Sequence, residues 1–421
     1  MVNLYVVCSS LEEPQSLINR TRNIIEKILE EIPQLDLIGY YNQKNELENL
    51  VGEELDRFAR PSIILNSSGG TEEIIDFIVE RCKSQVLIVA DSNKNSFASS
   101  LEAYAHLKDK YPVKLFFDEN ESLKISEIKK FTKVVSALNY INNCRFFIIG
   151  SPSDWLLTSR EISSFGRFKT KLNRIEVDEV VSWVEQISNS ETSEIIEGWK
   201  SSYSNISVEE KSLIDSAKVY FALKTLVNEN KIDVLSVRCF DLLSHNYTAC
   251  MALSMLNDEG ITSGCEGDIP TTFTMMVAEK LSENPVWMAN PSLINKENNT
   301  ITFAHCSVPN KFLSDTKKAG LTTHMESGLS TAISGPLKHE AVTIMRFSEK
   351  FDKLSAVKGR IIKSDMKNEN LCRTQAVIEI DGNVEDWVEQ SLGNHHVIVY
   401  GNLLQELKYF CSFSDVKLLL I

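Results

Sequence analysis

The alternation of short apolar runs with longer amphipathic periods over the first 150 residues is the strongest constraint on how this chain folds. Strand-length runs fall at 4–8, 35–40, 62–65, 86–90, 113–117 and 145–150, with helical periods near 14–31, 71–83, 94–109 and 125–139 between them. A strand buried on both faces is apolar throughout, and two parallel neighbours need a helix-length crossover. The pattern therefore predicts a parallel sheet with helices on both faces. At 421 residues the chain exceeds what one hydrophobic core serves, so two or three domains are expected.

From 151 to 167 the pattern lapses into turn chemistry, with Trp155 just beyond a strand end, and this marks a domain border. A strand at 174–177, helices near 177–188 and 207–229, a strand at 234–237 and a helix near 245–258 then repeat the α/β pattern. Beyond Thr322 short runs at 341–347, 359–362, 376–380 and 397–400 alternate with period two between Gly, Asp and Asn. That favours an antiparallel sheet or small barrel. A helix at 403–413 and an edge strand at 416–421 complete it. The expected fold is α/β: two Rossmann-like parallel-sheet domains, 1–160 and 161–315, then a β-rich, barrel-like domain at 316–421.

The net charge of −14 argues against a nucleic-acid surface, which needs clustered Lys and Arg. No apolar run reaches the ~18 residues of a membrane span. The first residues read directly as a strand without a basic leader. Nine cysteines occur singly, with no Cys-x-x-Cys pair, as expected of buried, reduced thiols in a cytoplasmic protein.

The chemistry concentrates around Gly264-Cys265-Glu266-Gly267-Asp268-Ile269-Pro270. Gly and Pro set a turn there, Asp268 is placed to cap the following helix, and Glu266 lies on the turn at a strand end. Open α/β domains present reactive groups at such ends. Asn290, His305 and the pair His395-His396 are further candidates for the same site. A carboxylate with imidazole and amide donors suits Mn²⁺, Mg²⁺, Co²⁺ or Fe²⁺. A zinc site using Cys265 and Cys306 is the softer alternative, and an exposed acid with structural histidines is the bland one. Successive strand residues face opposite sides, so only one of His395 and His396 is expected to point into a site. Arg238 and Asp241 lie at the end of the strand at 234–237 and, with Trp287 and Asn290, are candidates to bind a sugar, Asp241 and Trp287 by lining its cleft. Arg373 either binds an anionic group or makes a salt bridge. The loop from Asn66 to Glu73, with Gly69-Gly70, is either a capped turn or a ligand-facing loop; it lacks the spaced glycines of a dinucleotide site.

Taken in order, Arg238-Cys239-Phe240-Asp241, Cys265-Glu266-Gly267-Asp268, Met288-Ala289-Asn290, Ala304-His305-Cys306 and Gly393-Asn394-His395-His396 resemble the L-fucose/L-arabinose isomerase superfamily, most nearly its shorter fucose-isomerase-like members. The resemblance runs from about residue 60 to the C-terminus. It implies two Rossmann-like domains and a β-rich C-terminal domain, with Mn²⁺ (or Mg²⁺ or Co²⁺) held by a Glu, an Asp and a His. It also implies aldose–ketose interconversion of a monosaccharide through a cis-enediol. By motif match the Glu is Glu266 and the His is His396, with His305 where the arabinose branch carries another metal histidine. The family Asp falls on Asn290, whose amide is able to coordinate a metal but not to act as a general base. Asp268 and Glu326 are the nearest acids to replace it. The resemblance further implies a homo-oligomer, trimer or hexamer, in which the first domain covers a neighbour's site and places the Gly69-Gly70 loop and Trp155 near another chain's Glu266. An epimerase or lyase working through the same enediolate, and a sugar-binding protein without turnover, are the alternatives.

Overall fold

The computed structural model describes residues 1–51 and 55–421. The chain divides into two compact units, residues 1–136 and 137–421. In the first, β1 (Val2–Val7), β2 (Leu35–Tyr41), β3 (Ser62–Asn66), β4 (Val86–Ala90) and β5 (Val113–Phe117) form an all-parallel sheet in the order β2-β1-β3-β4-β5. The strands β1, β3 and β4 are buried along their whole length, which is why they read as unbroken apolar runs.

In the second unit, β6 (Arg145–Ile149), β7 (Lys171–Ile175), the two-residue β8 (Asn205–Ile206), β9 (Val234–Val237) and β10 (Thr262–Cys265) follow in sequence. Four of them make a parallel sheet in the order β10-β9-β6-β7. Arg145–Ile149, read in the sequence alongside the strands of the first sheet, thus lies at the centre of the second. Hydrophobic periodicity identifies a strand but not its neighbours.

Next come β11 (Trp287–Asn295), β12 (Thr300–His305), β13 (Gly320–Thr322), β14 (Ala332–Ser334), β15 (Ala341–Phe347), β16 (Lys353–Ser364), β17 (Thr374–Ile380), β18 (His396–Tyr400) and β19 (Lys417–Leu420). Six of these close into an antiparallel barrel, β15-β18-β11-β12-β17-β16, sealed by pairing of β15 with β16; β19 adds in parallel to β16. Closure leaves no barrel strand with a free edge. The small sheet β14-β13-β8 lies outside it. The barrel therefore begins at Trp287, earlier in the chain than the β-type periodicity beyond Thr322 indicates. Pro291 and the bulge between Pro291 and Leu293 break the alternation of β11, so it did not read as a strand.

The helix Ile269–Ser282 joins the second sheet to the barrel, touching β9, β10, β11, β15 and β18. Its residues from Ile269 to Ala278 are all buried. Its threonine hydroxyls bond internally: Thr272 to Asp268 O and Ser236, and Thr274 to Pro270 O. A Cβ at Gly264 would collide with Thr272, so glycine is what lets β10 lie this close to the helix. Phe165, Phe168, Phe273, Phe347, Phe351 and Phe410 pack ring on ring along the same helix. Among the described residues, no helix is long and apolar enough to cross a membrane.

Candidate metal centre

Strand β10 ends at Cys265, and the next residue, Glu266, turns the chain with a left-handed backbone (φ 61°). That conformation is unfavourable for a side-chain-bearing residue and persists only where surrounding structure imposes it. Here the neighbouring loop does so: Ser153 N–H and Ser153 Oγ donate to Glu266 O at 3.0 and 2.9 Å. Gly267 follows at φ 68°, and a Cβ there would lie 2.6 Å from Ser151 O. Asp268 then caps the helix, accepting from Thr271 N–H at 3.0 Å.

The turn brings Glu266 to His395 and His305, and one ligand atom from each lies within 4.8 Å of the other two. His395 directly precedes β18 and His305 ends β12; their rings meet edge-on at 5.6 Å. His395 Nδ1 is 2.9 Å from Asp268 Oδ2, while Nε2 faces Glu266 Oε1 at 3.4 Å. Asp268 is fully buried and also takes Arg346 Nη1 at 3.1 Å. Arg346, itself wholly buried on β15, donates as well to His395 O at 2.5 Å and to the Thr271 hydroxyl. A Cβ at Gly393 would collide with this guanidinium.

These contacts set the charges. Burial would raise the Asp268 carboxyl, but the Arg346 charge and the His395 bond overcome it and hold it well below the ordinary range. Burial likewise works against a carboxylate at Glu266, and bonds from His395 and Trp155 outweigh it. Burial would lower His395; its bonds to Asp268 and Glu266 instead hold it up at about 9. His305 is pushed down to about 4 by burial and by the charge on His395.

The donor set fits a divalent cation. His395 Nε2 meets Glu266 Oε1 at 3.4 Å as an ion-pair contact without full hydrogen-bond geometry, while its Nδ1 is fixed by a carboxylate, the arrangement that orients metal-binding imidazoles. Asn290 Oδ1 is a buried acceptor with no partner, on β11, between the strands that carry His305 and His396. Among the described residues this is the one such cluster, and it contains no cysteine. Cys265 instead meets Cys239, sulfur to sulfur at 3.0 Å, and both thiols are buried. The geometry therefore gives no support to a zinc site on Cys265 and Cys306.

A pH dependence follows for the metal-free protein. The folded-state pKa of His395 is raised from 6.5 to about 9, so its stabilisation is complete below pH 6.5 and is lost as pH rises through 9. A shift of this size corresponds to a loss on the order of 3 kcal/mol. Urea unfolding at fixed pH values should show this slope in wild-type protein, and His395→Gln should remove it. Equal slopes in the two proteins would refute the assignment.

With this geometry in hand, residues 160–284 match the L-arabinose isomerase central domain. Sulfoquinovose isomerase of Clostridium sp. (strain MSTE9) is 28% identical over 202 residues, 45% of this chain and 44% of the relative. The sulfoquinovose isomerase of Priestia aryabhattai is 20% identical over 306 residues, 70% of this chain and 68% of the relative. The matched segment thus spans less than half the length of the Clostridium protein. These likenesses agree with the resemblance of the motifs to the L-fucose/L-arabinose isomerase superfamily.

Set against that superfamily's motifs, the structure takes the other member of the histidine pair. His396 points into the barrel, its ring tilted against Trp387 at 4.6 Å and edge-on to Phe303 at 6.2 Å, with Nδ1 on Asn394 O. Burial, then the Arg346 charge, pushes it down to about 3. The two histidines straddle the start of β18, and period-two alternation sends them to opposite faces. Trp287 does not line a cleft: it is fully buried against Phe312 in the barrel core. Arg238 clamps the loop that holds Glu266, donating to Ser151 Oγ and Pro152 O at 2.9 and 2.7 Å. Its charge is met by Asp154 and by Asp241, the latter at 2.7 Å. Arg373 forms no salt bridge among the described residues; it donates to Thr323 O at 2.8 Å and borders a cavity of about 230 Å³ with Thr322 and Gln375. Glu326 is exposed and outside the buried cluster. In the first unit, Ser68-Gly69-Gly70 borders a cavity of about 620 Å³ together with Ser9 and Lys94.

Arg346 was not read as part of the site, and Trp155, expected beside another chain's Glu266, meets Glu266 of its own chain. A lone Arg inside the otherwise uncharged strand Ala341–Phe347 was the available signal, because a charge at a buried strand position requires a counter-charge.

Proposed function

We propose that this chain is an aldose–ketose isomerase of monosaccharides that works with a divalent metal, Mn²⁺ or else Mg²⁺ or Co²⁺. The observation that carries the reading is the buried Glu266–His305–His395 cluster, in which His395 Nε2 faces Glu266 Oε1 and Asp268 fixes Nδ1. The relatives, named sulfoquinovose isomerases, supply the reaction class.

Glu266, His305 and His395 would hold the cation, with Asn290 the neighbouring neutral oxygen. A cation held there polarises the carbonyl and hydroxyl oxygens of the sugar. In the isomerisation a proton leaves C2 of the aldose and returns at C1, while the O2 hydroxyl proton passes to O1, through a cis-enediol. Glu266 is ionised and within the cluster, so it is the carboxylate placed to carry the carbon-bound proton. Asp268 has its oxygens committed to Arg346, Thr271 and His395, which suits orienting His395 better than exchanging protons with substrate. Asp241, paired with Arg238 at the end of β9, is the candidate to hold sugar hydroxyls. A homo-oligomer in the cytoplasm completes the reading.

The test is incubation of the full chain with Mn²⁺ and a panel of aldoses, sulfoquinovose among them, in D₂O. Ketose formation with deuterium entering the sugar is expected. Absence of both across the panel would end the proposal. Asn290, an amide where the family motif has an acid, favours a second reading, a sugar-binding protein without turnover. Sugar binding without turnover, with turnover appearing in Asn290→Asp, would establish that reading instead.

A further inference from the structure

We infer that Trp155 is the residue that sets how Glu266 presents itself to a cation and that forms the platform for the sugar; the sugar half of this inference rests on the isomerase reading. Trp155 is 51% exposed, an unusual position for so large an apolar side chain. It is nevertheless held at both ends. Its Nε1–H donates to Glu266 Oε2 at 2.7 Å, and its ring stands edge-on to Phe240 at 4.8 Å. Phe240 stands edge-on in turn to His324 at 5.9 Å. The loop beneath it is pinned two residues earlier by Ser153 on Glu266 O and further by Arg238 on Ser151 and Pro152.

The choice of donor has a chemical consequence. Indole N–H gives one hydrogen bond and carries no charge. It occupies Oε2 without neutralising the carboxylate, so the full negative charge stays available at Oε1, the oxygen that faces His395. A lysine or arginine in its place would compete with the cation for that charge. With Oε2 engaged by the indole, Oε1 is the oxygen that Glu266 would turn to a cation. The outer face of the indole remains in solvent beside that oxygen, and aromatic faces of this kind cover the C–H faces of sugars in binding sites.

Two variants separate these roles. Trp155→Phe keeps a ring and removes the N–H; Trp155→Ala removes both. Mn²⁺ affinity, read from the electron paramagnetic resonance signal of free Mn²⁺, requires no substrate and no turnover. It should weaken about tenfold in Trp155→Phe, the effect of losing one hydrogen bond to a charged group. The KM for the sugar should stay near wild type in Trp155→Phe and rise about tenfold or more in Trp155→Ala, with melting temperatures confirming that both are folded. Unchanged Mn²⁺ affinity in folded Trp155→Phe would overturn the first half. Equal KM values in the Phe and Ala variants would overturn the second. Should no aldose turn over in wild-type protein, the isomerase reading fails while the Mn²⁺ measurement still decides the role of the N–H.

Discussion

Arg346→Met is expected to destabilise the second unit by about 3–5 kcal/mol, the usual cost of removing one partner from a buried ion pair. The side chains of Arg346 and Asp268 are both fully excluded from solvent. Methionine fills most of the volume, so the loss reports the Asp268 carboxylate left to its remaining partners, among them His395 and Thr271, and not a cavity. The damage should also reach the cluster, since the same guanidinium holds His395 O and shares Asp268 with His395 Nδ1. Thermal unfolding of Arg346→Met, Asp268→Asn and the double variant tests this. The double variant should lose much less than the sum of the single losses, as coupled residues do. Additive losses would show that the pair is not coupled.

The second large effect is on turnover. Glu266→Gln should reduce the isomerase rate by about 10²–10⁴-fold, the range for loss of a positioned proton-transfer group, and weaken divalent metal binding as well. The substitution is nearly isosteric and leaves an oxygen for the Trp155 N–H, so the turn held by Ser153 should persist and melting should change little. Rates within a few-fold of wild type would remove Glu266 from the chemistry.

The turn and its cap were legible because their determinants are local: Gly264, Gly267 and Pro270 punctuate the chain, and Asp268 needs only the next three residues to act as a cap. The strands of the first sheet were legible because burial on both faces leaves no polar alternation to confuse them. What escaped depends on register and on partners distant in the chain. Which of His395 and His396 enters the cluster is decided by where β18 begins, and a shift of one residue exchanges their faces. The reassignment of Arg238 from substrate to the loop at 151–154 has the same origin, because the strand end was visible and the loop packed against it was not. Trp287 shows the limit from the other side. A tryptophan beside a motif looks like a sugar platform, yet its strand places it inside the barrel, while Trp155 on an irregular loop holds the exposed position.

Metal content by mass spectrometry, after dialysis of folded wild-type, Glu266→Gln, His395→Ala and His396→Gln proteins against Mn²⁺, tests the central claim most directly. About one ion per chain is predicted in wild type and in His396→Gln, with most of it lost in Glu266→Gln and His395→Ala. Full retention in both Glu266→Gln and His395→Ala, or loss in a folded His396→Gln that His395→Ala does not share, would contradict it.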